Sequence, residues 1–294
     1  MPRKKDVRMP ELPEVETVVR TLRPQVLNAR ITKVELLRPS VVLPQSLPLD
    51  SLCGCRIIAA DRRGKLILLR LLPPPGADGG EYPACLVVHL RMTGRLMPHP
   101  TGTPPHAHTR CLFHLEGPHG KSVLFFDDVR AFGLLFAATP ERLAAWDFWR
   151  ELGPEPLAVP ADALARQLAP RLSSRRGPIK SLLLDQKILA GIGNIYADEA
   201  LFRARIDPRR PANSLDATSL LTLCRELQAV LRLSIEQCGS SIRDYRDANG
   251  NVGAFQNSFA AYGRGGQPCV TCGRPLEKTQ VGGRATVYCP HCQH

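Results

Sequence analysis

No apolar run in this chain approaches the roughly 18 residues that a membrane-spanning helix needs. The best, such as KLILLRLL at residues 65–72, are strand length. Nor does an apolar segment follow the basic first eight residues, which run straight into PELPEVET, so no secretory signal is expected. Acidic residues are in deficit: 39 Lys and Arg face 27 Asp and Glu, a formal net charge of +12. That imbalance favours polyanionic partners, nucleic acid ahead of an anionic membrane surface. The basic residues are spread along the chain and not gathered in a tail, which argues for a folded basic groove and against a disordered arm. There is no convincing internal repeat.

What is present suffices for two domains of ordinary size, each with its own core, in 294 residues. Ten cysteines without a secretory signal point to a reducing compartment, where clustered thiols are metal ligands more often than disulfides. Four of them form the strongest spacing signal in the chain. Cys269, Cys272, Cys289 and Cys292 make a C-x2-C-x16-C-x2-C pattern, within the window of a four-thiolate zinc site. Four protein ligands close the tetrahedron, so one structural zinc is expected, holding a β-hairpin and leaving no place for a catalytic water. His291 and His294 are then bystanders. The remaining cysteines, at 53, 55, 85, 111, 224 and 238, read as buried small hydrophobes.

From Ile31 to about Ala138 short β-branched or apolar runs alternate with turn clusters, the pattern of an antiparallel sandwich or barrel. Two proline- and glycine-rich stretches, PPPGADGGEYP and PHPTGTPPHAH, read as exposed hairpin loops. His99, His106 and His108 in the second read as solvated loop histidines, with metal ligation the alternative. Ahead of the strands, PEVETVVRTLRPQV predicts a short amphipathic helix that Pro24 should end. After Thr139 the pattern takes helical period. Residues 177–208 predict two helices joined by the tight KILAGIG turn, and residues 214–239 a longer helix capped by Ser214 or Asp216 and stopped at Gly239. GIGNIYADEA puts glycines and Asn194 where a turn becomes a helix, a place that suits a phosphate. It fails as a dinucleotide fingerprint on spacing and context.

The segments MPELPEVE, RRGKL, HLRMTGRL, DVRAFG, GIGNIYADEALF and GRATVYCPHC occur in one order and at sensible separations. Together they resemble the bacterial formamidopyrimidine-DNA glycosylases, over residues 9 to 294. The resemblance implies an α+β protein: an N-terminal β-sandwich with a leading helix over 9–140, a linker over 141–160, a helix-two-turn-helix domain over 161–261 and a zinc-hairpin finger over 262–294. It implies a monomeric, cytoplasmic enzyme of base-excision repair. Such an enzyme removes 8-oxoguanine and formamidopyrimidines from duplex DNA and cleaves the strand by β,δ-elimination.

Residue by residue, the resemblance makes Pro10 the nucleophile, its secondary amine forming an iminium with C1′ of the damaged nucleotide. An internal proline nitrogen is a tertiary amide and could not react. Residues 1–8 are therefore expected to be absent from the active protein, which would begin at Met9 and be trimmed to Pro10. Glu11 matches the acid–base residue, and Glu14 a second acidic position that serves positioning at the DNA site. Leu12 and Pro13 separate this motif from the PEGPE start of the endonuclease VIII relatives, the rival specificity within the class. Lys65, His89, Asn194 and Arg284 match positions that grip phosphates around the flipped nucleotide, Lys65 and Arg284 being counted with the catalytic set. Met92, Arg130 and Phe132 match the triad that fills the space left by the extruded base. Ala131 stands where many relatives carry a second basic residue. Ser241, Ile242 and Tyr245 are the lesion-contact candidates, and Arg264 is a further DNA-contact candidate. Rivals from other classes are a non-catalytic lesion-binding protein, which follows if residues 1–8 are retained, and a zinc-ribbon nucleic-acid adaptor.

Overall fold

A reciprocal cap starts the first helix. The computed structural model describes residues 9–76, 82–241 and 245–294; residues 1–8 and Ile242 lie outside them. Helix α1, Leu12–Val26, has Glu11 at its N-cap, and Glu11 and Glu14 close a capping box across the first turn. Leu12, Val15, Val18, Val19, Leu22 and Val26 bury one face, each worth about 1.5–3 kcal/mol relative to exposure. Pro24 does not end this helix but lies inside its last turn. The Arg20 carbonyl that its missing N–H would have served is on the exposed side of the turn, where water can serve it.

Eight strands follow: β1 Arg30–Leu36, β2 Arg56–Arg63, β3 Leu66–Leu72, β4 Cys85–His89, β5 Gly94–Pro100, β6 Thr109–Gly117, β7 Gly120–Asp128 and β8 Leu134–Ala138. All pair antiparallel, in the order β5-β7-β6-β1-β2-β3-β4-β8. Register shifts mark bulges in β1, β2 and β6, which bend a sheet and increase its twist. The sheet forms a β-sandwich around one core that takes Leu96 of β5, Phe126 of β7, Leu69 of β3, Leu135 of β8 and the apolar face of α1. PHPTGTPPHAH is not a hairpin loop: its first three residues end β5, which pairs with β7, and the rest crosses over to β6. Two short helices, α2 Pro140–Ala145 and α3 Asp147–Arg150, complete this part and occupy the start of 141–160.

The chain divides into two compact units, residues 1–150 with 240–253, and residues 151–239 with 254–294. The second holds α4 Ala161–Leu172, α5 Ile179–Leu183, α6 Asn194–Arg203, α7 Ala217–Glu236, β9 Glu277–Val281 and β10 Arg284–Tyr288. Asp216 caps α7, its Oδ1 accepting from the Ser219 N–H at 2.7 Å, and Gly239 follows in left-handed conformation. Tyr196 of α6 is fully buried, bonded to Ser234 of α7 at 2.6 Å and stacked on Phe255. The buried Glu199 carboxylate collects the N–H groups of Ala260, Ala261 and Tyr262 at 2.8–3.1 Å, fixing the chain that leads to the hairpin β9–β10. Among the described residues no helix is long and apolar enough to cross a membrane.

Candidate functional site

In the first unit Pro10 is part-exposed at the mouth of α1, while Glu11 and Glu14 are buried, 4% and 2% exposed. The Glu11 N–H donates to Glu14 Oε2 at 3.0 Å, which fixes the backbone next to Pro10. The other oxygen of Glu14 accepts from the Ser240 N–H at 2.8 Å and from its hydroxyl at 3.0 Å. Tyr245 donates its hydroxyl to the Glu14 carbonyl at 3.1 Å. Ser241 donates to the Tyr245 carbonyl and accepts from the Gly253 N–H. Two of the three lesion-contact candidates, Ser241 and Tyr245, are thus bonded to each other, and Tyr245 and Ser240 are bonded to Glu14 of α1.

Lys65 is buried in the turn after β2, and His89, at the end of β4, lies opposite Leu66 in the register. The His89 Nδ1 accepts the Arg91 N–H at 3.0 Å, so the ring proton belongs on Nε2. Burial, followed by the positive charges of Arg91 and Lys65, pushes His89 down to about 3. It is a neutral N–H donor that stays neutral at any physiological pH. Such a group can donate a hydrogen bond to an oxygen acceptor but brings no positive charge to it.

The three wedge candidates sit on two turns that share one buried carboxylate. Asp128, 1% exposed, accepts from the Thr93 hydroxyl and, at 3.1 Å, from the Arg130 N–H through Oδ1. Its Oδ2 accepts from the Gly133 N–H at 2.7 Å. Thr93 follows Met92 in the turn closed by the Gly94 N–H to the Leu90 carbonyl at 2.9 Å. Arg91 and Ala131 are in left-handed conformation, one in each turn. Phe132 is 52% exposed and carries the Arg130 guanidinium 4.6 Å above its ring. Phe132 is thereby an exposed aromatic held on a fixed turn. The motif DVRAFG supplied Arg130 and Phe132 to the sequence reading, but Asp128 was missed as their common anchor.

In the second unit Gln186 pins the glycine turn before α6. Its Nε2 donates to the Leu184 and Ile192 carbonyls and its Oε1 accepts from the Gly191 N–H, at 2.9–3.0 Å. Asn194 opens α6 and donates through Nδ2 to the Ala285 carbonyl at 2.9 Å, while its Oδ1 is buried with no hydrogen-bond partner. Lys180, fully buried, donates to the same carbonyl at 3.0 Å and to the Thr286 hydroxyl at 2.7 Å, and lies 2.6 Å from Asp198 Oδ1. Burial pushes Asp198 up to about 7 against the pull of Lys180. The backbone next to Arg284 is therefore gripped from two helices, and the exposed Arg284 side chain leaves a two-glycine turn, Gly282 and Gly283, both in left-handed conformation. Arg264 has its guanidinium bound to Gln267 and to the carbonyls of Ala260 and Pro268, at 2.9–3.1 Å. Lys180 and Gln186 carried no motif signal that single-sequence reading could use.

The four cysteines of the spacing pattern converge, their sulfurs all within 4.8 Å of one another and Cys272 to Cys289 at 3.6 Å. Zinc–sulfur bonds of about 2.3 Å place tetrahedral thiolates a little under 4 Å apart, so the set fits a zinc ion. Burial would raise the Cys269 thiol, but the N–H groups of Cys272 and Thr271 hold it down to about 7. Cys292 is pushed up to about 12 by burial and by its thiol neighbours. Gln293 ties this knuckle to the domain, accepting from the Cys289 N–H at 2.7 Å and donating to the Ile206 carbonyl at 2.8 Å. Of the other cysteines, burial raises Cys85 to about 11 and Cys111 and Cys224 to about 12, as for inert core thiols. Cys238 departs from that reading and is exposed.

Comparison with known proteins gives three matching family models that run in order along the chain. One described as the formamidopyrimidine-DNA glycosylase N-terminal domain matches residues 9–135, one described as the H2TH domain of the same glycosylases residues 152–246, and one described as the zinc finger found in FPG and IleRS residues 266–294. A formamidopyrimidine-DNA glycosylase of Moorella thermoacetica is 48% identical over 92% of this chain and 95% of its own length. That of Nitratidesulfovibrio vulgaris is 42% identical over 97% of this chain and all of its own. Among solved structures, the MutM (Fpg) protein of Thermus thermophilus superposes with a TM-score of 0.81 at 41% identity, covering 97% of this chain and 98% of that one. A Lactococcus lactis Fpg mutant in complex with DNA containing Fapy-dG superposes with a TM-score of 0.84 at 32% identity, covering 97% of this chain and 100% of that one.

Proposed function

The chain belongs to the formamidopyrimidine-DNA glycosylase family, and from that premise we propose that it excises 8-oxoguanine and formamidopyrimidines from duplex DNA through Pro10 and then cleaves the strand by β,δ-elimination. It is a bifunctional glycosylase and abasic-site lyase of base-excision repair, with one structural zinc held by Cys269, Cys272, Cys289 and Cys292. Its partner is duplex DNA carrying oxidised purines or abasic sites, met in the cytoplasm.

In the proposed mechanism the acting form begins at Pro10, whose secondary amine attacks C1′. The C1′–N bond to the base breaks, and the base leaves as its protonated form. Glu11 delivers a proton to the ring oxygen as the sugar opens, giving the iminium. It then serves as base and acid while the 3′ and 5′ phosphates leave in turn. Lys65, neutral His89, Asn194 and Arg284 hold phosphate and sugar oxygens. Met92, Arg130 and Phe132 occupy the vacated stack, offsetting the few kcal/mol that extrusion of the base costs. Zinc contributes no chemistry to these steps; it cross-links the hairpin that carries Arg284.

One observation carries this reading. Glu11 is a buried carboxylate whose backbone is fixed by Glu14 directly beside Pro10, and Glu14 is also bonded to Ser240 and Tyr245, beside and among the lesion-contact candidates. The test compares duplexes containing 8-oxoguanine opposite cytosine with duplexes containing thymine glycol, using protein beginning at Pro10 and its Glu11→Gln variant. Excision of 8-oxoguanine that is lost in the variant supports the reading. A preference for thymine glycol would move the chain to the endonuclease VIII specificity, and full activity in the variant would remove Glu11 from the mechanism.

A further inference from the structure

A second group of metal-ligating side chains lies outside the site just described, on the first unit. Successive residues of a strand face opposite sides of the sheet, so Asp127 and Asp128 point apart: Asp128 serves the wedge turns, and Asp127 looks out from the other face. There Leu112, Val123 and Phe125 form a small apolar cluster separate from the main core. His99 packs on it, its ring 4.3 Å from that of Phe125, and stands opposite Val123 in the register. The crossover from β5 to β6 then folds back and brings the ring of His106 to 5.8 Å from Phe125 and 5.7 Å from His99.

Three details make this more than a stack of rings. The ligand atoms of His99, His106 and Asp127 all lie within 4.8 Å of one another. Nitrogen and oxygen ligands at about 2.0–2.2 Å from one tetrahedral zinc ion lie about 3.3–3.6 Å apart. Movement of no more than about 1.5 Å closes the set, and His106, the exposed member, is placed to make it. His99 Nε2 is buried with no hydrogen-bond partner, unusual for an imidazole nitrogen and ordinary for one that ligates. Asp127 is already aimed, since the buried Thr109 hydroxyl donates to its Oδ1 at 2.5 Å and accepts the His106 N–H at 2.8 Å. One hydroxyl thus ties the carboxylate to the loop that carries the histidine, as groups behind a metal's ligands commonly do.

We propose that His99, His106 and Asp127 form a second divalent-cation site, distinct from the four-cysteine zinc, that takes Zn2+ or a neighbouring transition ion such as Co2+ or Ni2+. Two imidazoles and one carboxylate suit these ions; Mg2+ and Ca2+ prefer oxygen alone. Three protein ligands leave the remaining position to water. A bound ion would fasten the 101–108 crossover to the edge of the sheet, joining β5, β7 and the loop before β6.

The test uses protein beginning at Pro10 with its four-cysteine site filled. It is dialysed against micromolar Zn2+, and bound metal is counted per chain. The proposal expects two zinc ions per chain in the parent and one in both His99→Ala and His106→Ala, with excision of 8-oxoguanine unchanged in His106→Ala. Because His99 packs on Phe125, its variant can lose stability; His106→Ala sits on an exposed loop and keeps the count decisive. Co2+ added to the zinc-filled parent should give only the weak absorption of nitrogen and oxygen ligands, without thiolate charge transfer. One zinc per chain in the parent overturns the proposal. A second zinc that survives both substitutions, and departs instead with His291→Ala and His294→Ala, does so equally.

Discussion

Removing one carboxylate should disorder the whole wedge. In Asp128→Ala the Thr93 hydroxyl and the N–H groups of Arg130 and Gly133 lose a shared charged acceptor. Hydrogen bonds to charged groups are worth about 1.5–3 kcal/mol each, giving a ceiling near 4.5–9 kcal/mol for three. Arg130 and Phe132 are exposed, so their turn can relax into water and recover part of this. The expected loss is therefore about 2–4 kcal/mol, or a fall in Tm of roughly 5–15 °C for a unit of this size. Excision should slow by about tenfold or more, since misplacing groups remote from the chemistry is enough to do so. Thr93→Val removes one of the three bonds and should be non-additive with Asp128→Ala in a double-mutant cycle. The measurements are thermal melts and single-turnover excision of 8-oxoguanine for the four proteins of the cycle. A melting temperature within about 2 °C of the parent, with additive single effects, would refute the shared-anchor argument.

Other consequences can be checked in the same way. His89 titrates near 6.5 in the unfolded chain and near 3 in the folded one. Its contribution is complete above about pH 6.5 and is lost as pH falls toward 3, by roughly 5 kcal/mol at most. His89→Gln should flatten stability against pH in that window, and an unchanged slope would place the cause elsewhere. Gly133→Ala would put a methyl 2.5 Å from the ring of Phe126 and 3.1 Å from Asp128 Oδ2, against side chains with no room to yield. A loss of about 2–3 kcal/mol by denaturant melt is expected. Lys180→Met leaves the buried Asp198 without its cation and should cost about 3–5 kcal/mol. Asp198 holds its proton up to about 7 with Lys180 in place and would hold it higher without that cation, so the penalty should be flat below about pH 7 and grow above it. A penalty independent of pH would contradict the assignment.

The parts of this molecule that were legible in sequence are those whose physics is local. The four-cysteine knuckle, the glycine turn into α6 and the Asp216 cap of α7 each rest on neighbours a few residues apart, and each is found as read. The failures are non-local. β5 carries Pro98 and Pro100, which argue against a strand, but it lies at the end of the strand order, where an edge strand tolerates missing donors. Pro24 looked like a stop and is absorbed in an exposed last turn. His99 read as a solvated loop residue, but strand pairing lays it on Phe125. Asp128 joins turns 35 residues apart, Thr93 to Asp128, and Lys180 reaches a strand 106 residues onward. No spacing rule within one sequence could have paired them. The role proposed for Pro10 was legible only through family resemblance, since a proline followed by glutamate is by itself an ordinary helix start.

The central claim is that Pro10 is the nucleophile once it is terminal. The most direct test is borohydride trapping on an 8-oxoguanine duplex, with protein beginning at Pro10 beside protein that retains residues 1–8, followed by mass mapping of the adducted peptide. The account predicts a covalent adduct on the Pro10 nitrogen in the first protein and none in the second. An adduct on another residue, or equal trapping by the extended chain, would contradict it.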